Sequence, residues 1–219
     1  PYETLTAFEP IGLINSNPFV LVSRKALPVG TPQALLDYIR ANKDKVSIGH
    51  AGIGSGAHLC NMLLQSLLGV KMSEVPYRGT GPALNDVVAG QIDLLFDQTI
   101  GAVPQIQAGT VKPFAVTSAM RIEQLKDVPT MQEAGLAGFE VTQWHAFYAP
   151  AGTPQPVLGK IAAALEKALK DRQIVTKFGE LGTTTFAEGK RGPAETKAKL
   201  ASEVEKWGRV IAAAGVKAE

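Results

Sequence analysis

His50-Ala51-Gly52-Ile53-Gly54-Ser55-Gly56-Ala57-His58 follows the short apolar run Val46-Ser47-Ile48 and precedes a helical run from Leu59 to Leu68. A glycine-rich turn between a strand and a helix leaves the first N–H groups of that helix unpaired, where the helix dipole favours negative charge. The simplest ligand for such a place is an anion. Glycines at alternate positions remove Cβ atoms that would hold a ligand off the backbone, and Ser55 can cap the helix or donate its hydroxyl. The same residues also read as a tight strand-to-helix turn with no ligand at all.

The same grammar recurs downstream. Glu74-Val75-Pro76-Tyr77 reads as a short strand, Arg78-Gly79-Thr80-Gly81-Pro82 as a turn, and Ala83, Leu84, Val87 and Val88 as one helix ending at Gly90. Ile92 to Phe96 is a third strand, and Asp97 at its end can cap the next helix or face a ligand. A helix holding Val103 and Ile106 then stops at Gly109 before the strand Pro113 to Thr117. Strands alternating with helices predict α/β layers with a mostly parallel sheet or sheets. In such sheets ligands sit beyond the carboxyl ends of the strands, where all three turns fall.

Working outward toward the N-terminus, Ile11 to Ile14 and Phe19 to Val22 read as two strands joined by a turn at Asn15-Ser16-Asn17-Pro18. Thr31-Pro32 starts a helix with Leu35, Leu36 and Ile39 on one face. Toward the C-terminus, Thr130-Met131-Gln132-Glu133 has the capping-box pattern of a short helix closed by Gly135. Phe139 to Ala149 is strand-like and holds Trp144, His145, Phe147 and Tyr148; Trp144 and Phe147 cannot share a face of it. Each of these aromatics reads as core first and ligand contact second. Helices follow from Thr153-Pro154, from Asp171, and from Pro193, the last placing Leu200, Val204, Trp207 and Ile211 in one predicted buried stripe.

At 219 residues, 45% of them hydrophobic, the chain can bury one sizeable core or two small ones. The net charge of +2 is dispersed, with no basic run interleaved with aromatics, so nucleic acid is not an expected partner. Cys60 is the sole cysteine and reads as a small core residue. His50, His58 and His145 show no metal-ligand spacing, and neither a metal nor a cofactor is expected. No apolar run nears the roughly 18 residues that cross a membrane. The opening Pro1 to Pro10 has no methionine and no helix or strand period, and reads as beginning in mid-structure.

Gly52, Gly54 and Ala57 also fit the dinucleotide pattern G-x-G-x-x-[GA]. That pattern wants an acidic residue at the end of the next strand, whereas Glu74 stands at its beginning. Ser55 lies in G-I-G-S-G, which is not the G-x-S-x-G register of a hydrolase nucleophile. No paired-carboxylate or cysteine–histidine pattern indicates an enzyme.

Ala51 to Ser55 with His58-Leu59, Val75 to Gly79, Gly90 to Asp97, Pro113 to Ala119, Val128 to Thr130 with Glu133 to Gly135, and Ala149 to Pro154 together resemble the Bug family. These are the extracytoplasmic solute-binding receptors of tripartite tricarboxylate transporters, and the match runs in order along essentially the whole chain. The resemblance implies a two-lobed periplasmic-binding-protein fold of type II, with one lobe incomplete at the N-terminus. Residues 20–117 would form one lobe, and residues 1–19 with 118–219 the other. It implies a periplasmic protein that holds a small carboxylate between the lobes and hands it unchanged to membrane permease subunits. Residue by residue, Gly54, Ser55 and Gly56 would donate to a carboxylate, with Thr80 and Gly81 at the second helix end. His58, Tyr77, Arg78, Asp97 and Trp144 are further candidates; Arg78 would pair with a second carboxylate or stay solvated. The ligand-sensing domain of LysR-like transcription regulators has the same lobe architecture and is the alternative, ahead of a dinucleotide-binding enzyme domain.

Overall fold

The computed structural model describes residues 2–213. Strand β1 (Phe8–Arg24) is followed by α1 (Pro32–Ala41), β2 (Ser47–His50), α2 (Gly56–Leu68), β3 (Ser73–Pro76), α3 (Thr80–Ala89), β4 (Leu94–Gln98), α4 (Thr99–Gln107) and β5 (Val111–Val116). A 3-10 turn at Glu123–Leu125 precedes β6 (Thr142–Pro150), α5 (Gln155–Lys170), α6 (Arg172–Glu180), β7 (Thr184–Thr185) and α7 (Pro193–Ala213).

These elements form two compact units. The larger comprises Asn17–Gln143 with Glu180–Thr183. The smaller is built from the described residues up to Ser16, Trp144–Gly179, and those from Thr184 onward. The larger unit therefore extends past the 20–117 segment read from the sequence. The physical reason lies at Thr117, whose hydroxyl donates to the Val141 carbonyl at 2.6 Å while Val116 N–H donates to Pro129 O at 2.8 Å. Phe139, fully buried, then stacks on Phe96 of β4 at 5.6 Å. Residues 118–143 are thus strapped to the sheet that β5 completes.

In the larger unit the strand order is β3-β2-β4-β1-β5. Strands β2, β3 and β4 are parallel, and β1 runs antiparallel to both β4 and β5, so β5 shares their direction and the sheet is mostly parallel, as predicted, with β1 reversed within it. Helices cover both faces. Val20, Val22 and Leu95 pack with Ala83 and Val87 of α3 and Ala102 and Val103 of α4. The alternate residues Leu21, Leu94 and Phe96 point the other way, as the period of a strand requires, and are equally buried.

The predicted turn at Asn15-Ser16-Asn17-Pro18 does not exist: β1 is one strand of 17 residues. Asparagine usually marks turns because it bonds to its own backbone, but here both side chains find distant partners inside the protein. Asn15 Oδ1 meets His145 Nδ1 at 2.7 Å in the smaller unit, and Asn17 Nδ2 donates to Gln98 Oε1 at 2.8 Å in the larger. The predicted helix at Thr130 is a single turn. Its capping box forms, with Thr130 N–H to Glu133 Oε2 at 2.7 Å and Glu133 N–H to Thr130 Oγ1 at 3.1 Å, but Gly135 (φ 97°) ends it at once.

In the smaller unit β7 pairs antiparallel with Asn15 and Ser16 of β1. Arg191, 6% exposed, holds the Glu166 carboxylate of α5 with two parallel bonds of 2.7 and 2.8 Å and donates to Phe186 O at 3.0 Å. The stripe predicted on α7 is not buried: Val204 is exposed, and the Trp207 indole N–H donates to Glu203 at 2.8 Å.

Candidate functional site

The carboxyl ends of β2, β3 and β4 run into α2, α3 and α4 through short turns, all within the larger unit. From β2 the chain leaves through α2 to β3 on one side, and from β4 through α4 to β5 on the other. That reversal places the expected crevice between β2 and β4.

The first turn is held by its own side chains. Ser55 is the N-cap of α2, its hydroxyl accepting from His58 N–H at 3.2 Å. Ser55 N–H donates to Gly52 O at 3.1 Å, and Gly52 (φ 107°) and Gly54 (φ 77°) take backbone angles that other residues rarely adopt. Gly56 is glycine for another reason. A Cβ there would lie 2.5 Å from both Phe19 Cζ and Gln143 Oε1, so close packing, not ligand approach, excludes a side chain. Among the described residues no acceptor takes the N–H groups of Gly56 or Ala57.

Two buried histidines stand behind the turn. Gly52 N–H donates to His50 Nδ1 and Gly54 N–H to His58 Nδ1, each at 3.2 Å. Their rings lie 4.7 Å apart, and His58 Nε2 is 4.0 Å from Glu74 Oε2. His58 therefore supports the turn from inside, 7% exposed. The ligating atoms of His50, His58 and Glu74 fall within 4.8 Å of one another, close enough to share an ion. With both Nδ1 lone pairs already accepting, however, each neutral ring carries its proton on Nε2, the wrong state for metal ligation there.

At the second turn Gly79 (φ 113°) is the N-cap of α3 and supplies no side-chain bond. No described acceptor takes the N–H of Thr80 or Gly81. Gly81 is exposed, with nothing within 4 Å of where a Cβ would stand. Tyr77 is tied down at both ends: its N–H donates to His50 O at 2.9 Å and its hydroxyl to Asp86 Oδ2 at 2.7 Å. Burial and the Asp86 carboxylate push its phenol up to about 12. Arg78 is exposed and joins no ion pair among the described residues.

Asp97 is 2% exposed, and burial raises its carboxyl from the ordinary 3.8 to about 6, a rise that the nearby Gln98 N–H and Thr80 hydroxyl oppose. A Cβ on Gly101 would lie 2.4 Å from its Oδ2, so that glycine makes room for it. Trp144 belongs to the smaller unit and is half-buried on β6. Glu74 is the second residue of β3, accepts from Gln65 Nε2 at 3.2 Å, and does not reach the strand end that a ribose would occupy.

The family described as tripartite tricarboxylate transporter family receptor, TctC, matches residues 1–216. The chain belongs to that family. A UPF0065 protein of Agrobacterium vitis is 42% identical to this receptor-family chain over 98% of its residues, and BugT of Bordetella pertussis is 28% identical over 99%. The chain spans 62% and 66% of the lengths of those two curated relatives. The periplasmic binding protein BugD matches all of it with a TM-score of 0.96 and 40% identity, 73% of BugD being covered. MatC from Rhodopseudomonas palustris, solved with bound malate, matches 93% of it with a TM-score of 0.89 and 35% identity, 69% of MatC being covered. The TctC-family chain thus has the periplasmic-binding-protein fold that its motifs imply.

Proposed function

We propose that this chain is the ligand-capturing part of an extracytoplasmic solute-binding receptor, and that it holds a small carboxylate at the starts of α2 and α3. The observation that carries the reading is the set of four N–H groups, on Gly56, Ala57, Thr80 and Gly81, without acceptors at the carboxyl ends of parallel strands. Such groups bind anions through aligned donors and the helix dipole. The reading is supported by two relatives of 35% and 30% identity from R. palustris, one solved with malate and one with adipate.

The receptor delivers its ligand unchanged to the permease subunits of a tripartite tricarboxylate transporter, and works in the periplasm. No helix among the described residues is long and apolar enough to cross a membrane. Neither role asks for catalysis, and the site offers no nucleophile beside a base: Ser55 caps a helix, and both nearby imidazoles are engaged with backbone.

A thermal-shift screen of mono-, di- and tricarboxylates tests the reading. A ligand that binds only the folded chain raises its melting temperature once well above its dissociation constant. A rise with one acid class supports capture; no rise with any of them contradicts it.

A further inference from the structure

We propose that His50 and His58 are positioning residues for ligand capture: their unprotonated Nδ1 atoms clamp the Gly52–Gly54 turn, and protonation of His58 opens the clamp. The clamp rests on geometry alone, while its consequence for capture rests on the carboxylate reading above.

A backbone N–H can only donate, so the ring nitrogen it faces must present a lone pair. Gly52 and Gly54 each face an Nδ1 at 3.2 Å. Both glycines have positive φ, so the turn is held in a conformation that the following residues need in order to begin α2 at Gly56. Protonation of His58 turns its Nδ1 into a donor, and an N–H then faces the N–H of Gly54. The turn loses its anchor just ahead of the Gly56 and Ala57 donors.

The groups that face His58 are Glu74 from β3 and His50 from β2. From its own helix the nearby Asn61 amide is neutral and donates to Gly49 O at 3.2 Å, and Tyr77 beyond β3 spends its hydroxyl on Asp86. Burial lowers the His58 pKa below its ordinary 6.5, Glu74 raises it in part, and His50 lowers it further. The ring is neutral at pH 7 and gains its proton only in acid. Capture is therefore intact at neutral pH and weakens as the medium acidifies below that ordinary value.

The test is long-range proton–nitrogen NMR of the imidazoles in this chain, followed by malate and adipate titrations at pH 7.5 and 5. His50 and His58 are expected with the proton on Nε2. His145, whose Nδ1 faces Asn15 Oδ1 at 2.7 Å, is expected with it on Nδ1 and serves as the internal contrast. His58→Gln removes the acceptor at either pH: it should bind about two- to tenfold more weakly than wild type at pH 7.5, the loss of one hydrogen bond, and approach wild type at pH 5. His58→Asn returns an acceptor oxygen near the Nδ1 position; it should recover the affinity lost in His58→Gln at pH 7.5 and keep only the acid weakening that protonation of the ligands themselves causes. A proton on Nδ1 of either buried histidine overturns the clamp, and acid weakening as large in His58→Asn as in wild type overturns the gating. If neither acid binds any variant, the carboxylate reading fails and the gating with it, while the tautomers still decide the clamp.

Discussion

Burial lifts the pKa of Asp97 at the end of β4, and the hydroxyl of Thr80, the first residue of α3, works against that rise.

The first prediction follows from that carboxylate. Its folded pKa of about 6 lies above the ordinary 3.8, so the folded chain binds the proton more tightly than the unfolded one. The group's contribution to stability is complete below its ordinary pKa and is lost as pH rises through about 6, to a difference of about 3 kcal/mol. Asp97→Asn does not titrate. Its melting temperature relative to wild type should climb between pH 4 and pH 7, as differential scanning calorimetry would show, and a constant difference would refute the shift.

The two glycines proposed at the two helix starts should behave oppositely. Gly56→Ala forces a methyl against Phe19, 1% exposed, and should cost about 1–3 kcal/mol in urea unfolding, as overpacking does. Gly81→Ala meets nothing within 4 Å and lies inside a helix. It should leave stability unchanged or raise it by about 0.5–1 kcal/mol, yet weaken carboxylate binding because the methyl stands over the donors. Unaltered binding in a stable Gly81→Ala protein would remove α3 from the site.

Ser55→Ala loses the N-cap bond to His58 N–H and should destabilise the chain by about 0.5–2 kcal/mol. Ser55→Asp keeps a capping acceptor and should retain most of that stability while repelling an anionic ligand. Equal stability of the alanine and wild-type proteins in urea would show that the cap is not needed.

In the smaller unit, Arg191→Lys retains the charge but cannot make two parallel bonds to Glu166. Thermal unfolding should begin earlier than in wild type. A melting temperature identical to wild type would mean that the paired geometry contributes nothing.

How much of this was legible in sequence depends on whether a residue's partner is near it in the chain. The β2–α2 turn, the start of α1 and the burial of Cys60 follow from local pattern and periodicity, and the structure has them as read, whereas α3 begins at Thr80, inside the stretch read as a turn. The unbroken β1 was not legible, because Asn15 and Asn17 are satisfied by His145 and Gln98, 130 and 81 residues away. At the site, the glycines and Ser55 were visible, but two different reasons for glycine look alike in a sequence. Gly54 answers to its own φ, whereas Gly56 answers to Phe19 and Gln143, which only the fold brings together. The histidine pair was half visible: the spacing of His58 from Ser55 is helical, but the lone pairs turned onto Gly52 and Gly54 need coordinates. The exposed Val204 on α7 shows the opposite failure, an apolar spacing that no packed neighbour covers among the described residues.

The most direct test of carboxylate capture is the amide proton–nitrogen spectrum of the labelled chain, recorded while malate, adipate and a tricarboxylate are added in turn. Capture at the two helix starts predicts that the Gly56, Ala57, Thr80 and Gly81 resonances move together and saturate with one of these acids. Saturable shifts confined to other residues, or no shift with any acid, would contradict it.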